Sequence, residues 1–244
     1  MVRKTMDLLG IPPDSASFFE YASSFPKERT PVYLFTGSKF EKGAGRVSFK
    51  SSPDELLLWT TRIDNIIRRR MDRKGIIHTV SYDRAEYILS HSAFSSYMLL
   101  PEKLGNGKRD TEGTIERFRK AEPPAILVSP AITTGYDFKG EQCEYNIIAK
   151  VPFMDSRDPL TKARDEEDKE YSPYMTAQTL DQALWRAMRG EDDQCENFIV
   201  DGHIHWFLGK YRHLFPFWFH RLIQKTTAMP EPPASLRAGQ PSCT

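Results

Sequence analysis

Short, nearly continuous apolar runs alternate along the chain with longer stretches in which apolar residues recur at helical spacing. Runs of the first kind, at residues 32–35, 76–80, 97–100, 125–128, 145–151 and 198–201, predict strands, several of them buried on both faces. Between the first two runs, Ser52-Pro53-Asp54-Glu55 has the marks of a helix start. Ser52 can cap, Pro53 fits the first position, and the acids suit the positive first turn. Leu57, Trp59, Ile63, Ile66 and Ile67 continue that helix to the basic cluster Arg68, Arg69 and Arg70, and Gly75 is expected to end it. Further helices are predicted over 82–91, over 114–120, after Pro173 through Gln182 and Arg189, and across the aromatic stretch 205–220. The polar, glycine-bearing loop 101–113 is expected to be mobile, and residues 155–174 are highly charged. Strands and helices in alternation predict an α/β domain built on a parallel sheet. It is expected to occupy residues 1–228, with the Pro-rich remainder, 229–244, disordered.

Composition narrows the partners more than the fold. A chain of 244 residues can bury a core as one domain. Lys+Arg 34 against Asp+Glu 33 leaves a net charge of +1, so contact with nucleic acid has to come from local patches. The three cysteines, Cys143, Cys195 and Cys243, are far apart and form no C-x-x-C pair. That argues against a disulfide framework and against a zinc or iron–sulfur site in this chain, and suits a reducing, cytoplasmic or nucleoid-associated setting.

Four constellations carry candidate chemistry. In QALWRAMR, Gln182, Arg186 and Arg189 stand at i, i+4 and i+7, one face of a helix if the helix continues. Two guanidiniums held together can clamp a polyanion such as a triphosphate. The plainer alternative is a solvated basic face. The second, SPAITTGYDFKG (129–140), follows a buried strand and places the hydroxyls of Ser129, Thr133 and Thr134 at the C-terminal edge of the sheet, where α/β folds bind ligands. There Gly135 permits a tight turn, and Asp137 can accept hydrogen bonds from a ribose or a coupling partner. In HTVSY, Thr79, Ser81 and Tyr82 can donate to phosphate and the tyrosine can stack on a base, although Ser81 is equally an ordinary N-cap. The fourth, Asp201, His203 and His205, has the D-x-H-x-H spacing of metal-dependent amidohydrolases, but too little chain follows for the rest of such a barrel. No metal site is therefore assigned.

Taken in order, HTVSYDRA (78–85), AILVSPAITTGYDFKG (125–140), IIAKVPFMDSRDPLTKAR (147–164), QTLDQALWRAMRGEDD (178–193) and FPFWF (215–219) resemble the C-terminal RecA-like domain of the XPD/DinG branch of superfamily 2 DNA helicases. The opening residues 9–35 resemble the segment that follows the SAT motif in that family, so the resemblance runs from Leu9 to Leu222. It implies a RecA-like parallel sheet sandwiched by helices, the P-loop NTPase-type C-terminal lobe. It also implies Arg186 as first and Arg189 as second arginine finger, with Gln182, Gly135 and Asp137 near the nucleotide. Thr79, Ser81, Tyr82, Ser129 and Thr133 would lie along single-stranded DNA. The sequence departs from the family at Trp185, where glycine is usual, and at Thr134, where glutamate is common.

The chain contains no GxxxxGK[ST] loop, no DEAH-like box and no cluster-binding cysteines. ATP with Mg²⁺ is therefore expected to be shared with an N-terminal lobe carrying those motifs on another polypeptide, as in a split helicase that is inactive alone. The alternatives are a non-catalytic nucleic-acid-binding remnant and, below it, the metal-dependent hydrolase.

Overall fold

The computed structural model describes residues 2–17, 19, 21, 23, 25–36, 45–132, 135–226 and 228–232. Its frame is a seven-stranded sheet made of β1 (Val32–Leu34), β2 (Lys74–His78), β3 (Met98–Leu99), β4 (Ala125–Ser129), β5 (Tyr145–Ile148), β6 (Glu196–Ile199) and β7 (Ile223–Lys225). The spatial order is β3-β4-β2-β5-β6-β1-β7, and every pairing is parallel. The helices are α1 (Val2–Leu9), α2 (Pro53–Arg68), α3 (Tyr82–His91), α4 (Thr111–Lys120), α5 (Pro159–Glu167), α6 (Tyr171–Leu184) and α7 (His203–Tyr211).

Alternation along each strand divides the core into two layers, because successive side chains leave a strand on opposite faces. Ile77, Ile126, Val128, Tyr145, Ile147 and Phe198 face α2 and α3, where Trp59, Ile63, Ile66, Ile67, Ala85 and Ile88 cover them. Ile148, Ile199 and Leu34 face the other way, onto Ala177, Leu180 and Leu184 of α6 and Phe207 of α7. Ile76, Ala125 and Leu127 on that same side meet Ile115 and Phe118 of α4. Helix α2 begins as its sequence predicts: Ser52 accepts from the Glu55 amide and Glu55 accepts from the Ser52 amide, a full capping box.

Gly75 does not end α2, which stops at Arg68; it is the second residue of β2, opposite Tyr145 of β5. A Cβ at Gly75 would stand 2.1 Å from the Tyr145 ring, so the glycine is required by cross-strand packing. Gly75→Ala is expected to cost about 1–3 kcal/mol through overpacking. Its check is urea denaturation, and an unchanged midpoint would reject this reading of the contact.

Beneath the sheet, Glu196 is completely buried between two buried arginines. Arg70 makes a bidentate pair with it, Nε to Oε2 at 2.8 Å and Nη2 to Oε1 at 2.7 Å, and Arg73 Nη1 adds a contact at 3.3 Å. The Arg70 guanidinium lies 4.6 Å from the Phe198 ring centroid and donates to the Pro230 carbonyl at 3.2 Å. The first residues of the expected disordered tail are therefore tied down; residues 233–244 of that tail lie outside the described residues. Strand β7 and helices α1 and α5 fall in segments for which the sequence pattern predicted no element. The aromatic stretch predicted as one helix is α7 followed by two short 3₁₀ turns, Arg212–Leu214 and Phe219–Arg221, with Pro216 between them lacking the amide a helix needs.

Candidate functional site

Two of the four sequence constellations meet in space. Asp137 Oδ1 stands 2.8 Å from Arg189 Nη2 and 3.9 Å from Arg186 Nη1, and Arg186 Nη1 donates to the Tyr136 carbonyl at 2.7 Å. Phe138 N donates to the Arg186 carbonyl at 3.4 Å, binding the backbones as well. Downstream, the Asp193 carboxylate accepts from the amides of Arg189 at 2.7 Å, Gly190 at 2.5 Å and Gly140 at 2.9 Å. Burial would raise the Asp193 pKa, but these amide hydrogen bonds outweigh it and hold the carboxyl below its usual range.

These partners explain why the predicted helix through Arg189 stops at Leu184. The Arg186 carbonyl, which a continuing helix would use, is taken by Phe138, and the amides of Arg189 and Gly190 find Asp193. Gln182 stands exposed on α6, whereas Arg186 and Arg189 follow in a turn, so the three do not share a helix face. Arg186 is buried, at 6% exposure, and burial with the adjacent Arg189 lowers its pKa against the opposing charge of Asp137. The Arg189 side chain keeps 35% exposure and lines an open recess of about 540 Å³ with Arg29, Phe25 and Gly190.

Trp185 does not crowd the pair. Its indole packs edge-on against Trp218 at 5.1 Å and stacks on Phe25 at 6.0 Å, and Nε1 donates to Asp181 Oδ1 at 3.1 Å. Burial lifts the Asp181 carboxyl to about 6 despite that bond.

The connection from β4 to β5 spans the sheet. Ser129 is its start at the C-terminal edge; midway along it the Asp137 carbonyl accepts from Arg119 at the close of α4, and Phe138 packs on Phe118. Gly135, with φ +83°, supplies the left-handed turn and is open to solvent. Thr133 and Thr134 lie outside the described residues.

The hydroxyls expected to meet nucleic acid are mostly turned inward. Thr79 is fully buried and its Oγ1 donates to the Ser81 carbonyl at 3.1 Å. Ser129 is fully buried too, and its Oγ accepts from the Ala131 amide at 3.0 Å. Ser81 caps α3, accepting from the Arg84 amide, and the Tyr82 ring is covered by the Arg109 guanidinium at 4.0 Å.

What the sequence reading missed at this edge is a cleft of about 580 Å³ bordered by Phe49, Arg84, Lys150, Phe153, Arg157 and Asp155, whose carboxylate holds Arg157 Nε at 3.0 Å and Nη2 at 2.9 Å. The run KVPFMDSR (150–157) carried the signal, an aromatic between two basic residues just after a strand. Arg84 Nη2 donates to the Ser48 carbonyl at 2.6 Å and Lys150 Nζ to the Val47 carbonyl at 2.8 Å, which fixes the 45–50 segment beside the strand ends.

Asp201, His203 and His205 do not converge. Asp201 is fully buried and takes the amides of Val151 at 3.0 Å and His203 at 3.0 Å, while His203 Nδ1 lies 2.8 Å from it. His205 Nε2 instead meets Thr36 Oγ1 at 2.7 Å. Among the described residues no three acidic, histidine or cysteine side chains are grouped to hold a metal ion, and no helix is long and apolar enough to cross a membrane.

Seven parallel strands with helices on both faces, and a helix-end arginine pair tied to the β4–β5 connection, define a RecA-like α/β lobe. The chain belongs to the helicase C-terminal domain family, whose sequence model matches residues 67–221, and it is a lobe of the XPD/DinG type. It is 29% identical over 136 residues to the ATP-dependent DNA helicase YoaA of Escherichia coli (strain K12), a match covering 50% of this chain and 20% of that relative. The match thus spans only a fifth of the length of that curated relative. A solved XPD helicase aligns with 80% of this chain and 35% of its own at a TM-score of 0.55 and 12% identity. Dbp5 of S. cerevisiae, bound to RNA and ADP BeF3, aligns with 92% of this chain and 48% of its own at a TM-score of 0.53 and 11% identity. These structural likenesses establish the fold.

Proposed function

We propose that this chain is the C-terminal motor lobe of an ATP-dependent DNA helicase, working against a lobe that carries the phosphate-cradling loop and the acidic metal-binding motif. The observation that supports it most is the contact of Asp137 with Arg186 and Arg189, which joins the two motifs into one unit. ATP with Mg²⁺ supplies the phosphoryl group whose transfer powers the cycle, and the residues present suit it: guanidiniums match phosphate oxygens in geometry and charge. Arg186 is the first candidate for the finger and Arg189 the second, with Gln182 exposed on the preceding helical turn.

In the resting lobe Asp137 occupies both guanidiniums, so closure on a triphosphate exchanges one anion for another. That exchange pulls on residues 129–138, whose other end stands at the strand edge. The cleft of Arg84, Lys150, Phe153 and Arg157 would take a single strand there, with Val80 and Ser81 on its wall and Thr79 and Ser129 buried behind them.

Reconstitution tests the proposal. Mixing this chain with an XPD/DinG-type first lobe should give DNA-stimulated ATPase activity that neither polypeptide shows alone. A mixture with no activity, from a chain that still binds single-stranded DNA, would favour a nucleic-acid-binding remnant without motor function.

A further inference from the structure

Buried on the sheet face that meets α6, the last residue of β2, His78, has only 4% exposure. Neither ring nitrogen has a partner in good hydrogen-bond geometry, and both are sealed from solvent. The Asn146 side-chain oxygen, an acceptor for a protonated ring, favours the charged form, while the Asn146 amide donates to Asn197 Oδ1 and the Leu184 carbonyl. Burial, reinforced by the charge of Arg186, lowers the His78 pKa to about 3. The ring is neutral at physiological pH and offers one donor and one acceptor.

The ring borders a cavity of about 180 Å³ that is walled mainly by apolar groups, among them Pro130, Ile148, Pro152, Phe153 and Ala183. At about 30 Å³ per water there is room for several waters or for one flat heterocycle. A phosphate suits it poorly. The one cation on the wall, Lys150, already donates to the Val47 carbonyl and lies 4.0 Å from Asp201.

Val80, Lys150 and Phe153 border both this cavity and the larger basic cleft, so the two spaces adjoin. Val80 has φ +58°, a conformation that a β-branched residue adopts only under strain, and such strain concentrates at ligand sites. We propose that the cavity is a nucleobase pocket, in which one unstacked base of a single strand lying in the cleft presents its polar edge to the His78 imidazole, whose sealed nitrogens turn toward the cavity to meet it. Arg84 and Arg157 hold the backbone on either side, Arg157 by exchanging Asp155 for phosphate and Arg84 through donors beyond the one given to Ser48, and the Phe153 ring supplies an apolar wall. This proposal rests on the nucleic-acid-binding reading above.

The test uses the full chain with oligothymidylate and with an abasic oligodeoxynucleotide of equal length. In protein carrying nitrogen-15 histidine, the His78 ring signals are identified by their loss in His78→Phe. They should shift with oligothymidylate and stay in place with the abasic strand. His78→Phe, if folded by circular dichroism, should bind oligothymidylate about five-fold more weakly, the loss of one hydrogen bond, and bind the abasic strand unchanged. Binding of both strands with the His78 signals unmoved overturns the pocket and leaves the lobe's reading intact. Binding of neither strand overturns both. If His78→Phe does not fold, the wild-type ring signals, assigned through bonds, decide the question alone.

Discussion

Glu196→Ala is expected to destabilise this lobe by about 3–5 kcal/mol, the cost of removing one partner from a buried ion pair. The carboxylate is wholly buried and is shared by Arg70 and Arg73, themselves 0% and 2% exposed. Without it, two buried guanidiniums would lose the carboxylate they share, leaving to Arg73 the more exposed Asp72, 3.7 Å from its Nε, and Glu144. Arg70 also holds the Pro230 carbonyl, so the chain's return past β7 should loosen in the same step. Glu196→Gln keeps the volume and loses the charge; a loss close to that of alanine would assign the effect to charge and not to packing. Urea denaturation of the three proteins reads it, and a loss below about 1 kcal/mol, the range of exposed ion pairs, would show that the cluster is solvated in solution.

The largest functional effect is expected at the arginine pair. In the reconstituted two-lobe ATPase, Arg186→Ala should lower kcat by about 10³-fold or more, the usual scale of a lost arginine finger. Arg186→Lys should not restore it, since an ammonium cannot reproduce the planar fork. The two arginines separate by stability. Arg186 satisfies the Tyr136 carbonyl from a buried position, so its loss should also lower the lobe's own stability by about 1–3 kcal/mol. Arg189 is a third exposed at its side chain and, among the described residues, meets only the exposed Asp137 carboxylate in ion-pair geometry, so Arg189→Ala should leave stability nearly unchanged while reducing turnover. Intact ATPase in both alanine variants would remove the finger assignment and leave the pair as a fastening of the β4–β5 connection.

The parts of this fold legible in the sequence are those decided locally. The capping box of Ser52 and Glu55 lies within four residues, and the interior strands announce themselves as apolar runs because both faces are covered. The parts that were not legible depend on partners far along the chain. Helix α6 ends early because Phe138 takes a carbonyl and Asp193 takes two amides, and no helix propensity encodes either. Gly75 reads as a helix stop until Tyr145 is placed over it. Of the candidate site, the motif segments were visible and the contact of Asp137 with both arginines was not. Residue type alone could not show that the Thr79 and Ser129 hydroxyls turn inward, since a short side chain at a strand end can bond its own turn as readily as a ligand.

Strand β1 sits between β6 and β7, with Val32 beside both Asn197 and Ile223. On the ribosome it precedes both and therefore stays unpaired until nearly the whole lobe has been synthesised. Contacts so distant in sequence close slowly, and the apolar stretch Val32-Tyr33-Leu34-Phe35 is exposed to other chains meanwhile. A nascent chain arrested before residue 196 would lack both neighbours of β1, so this segment is where holding chaperones should be found during translation.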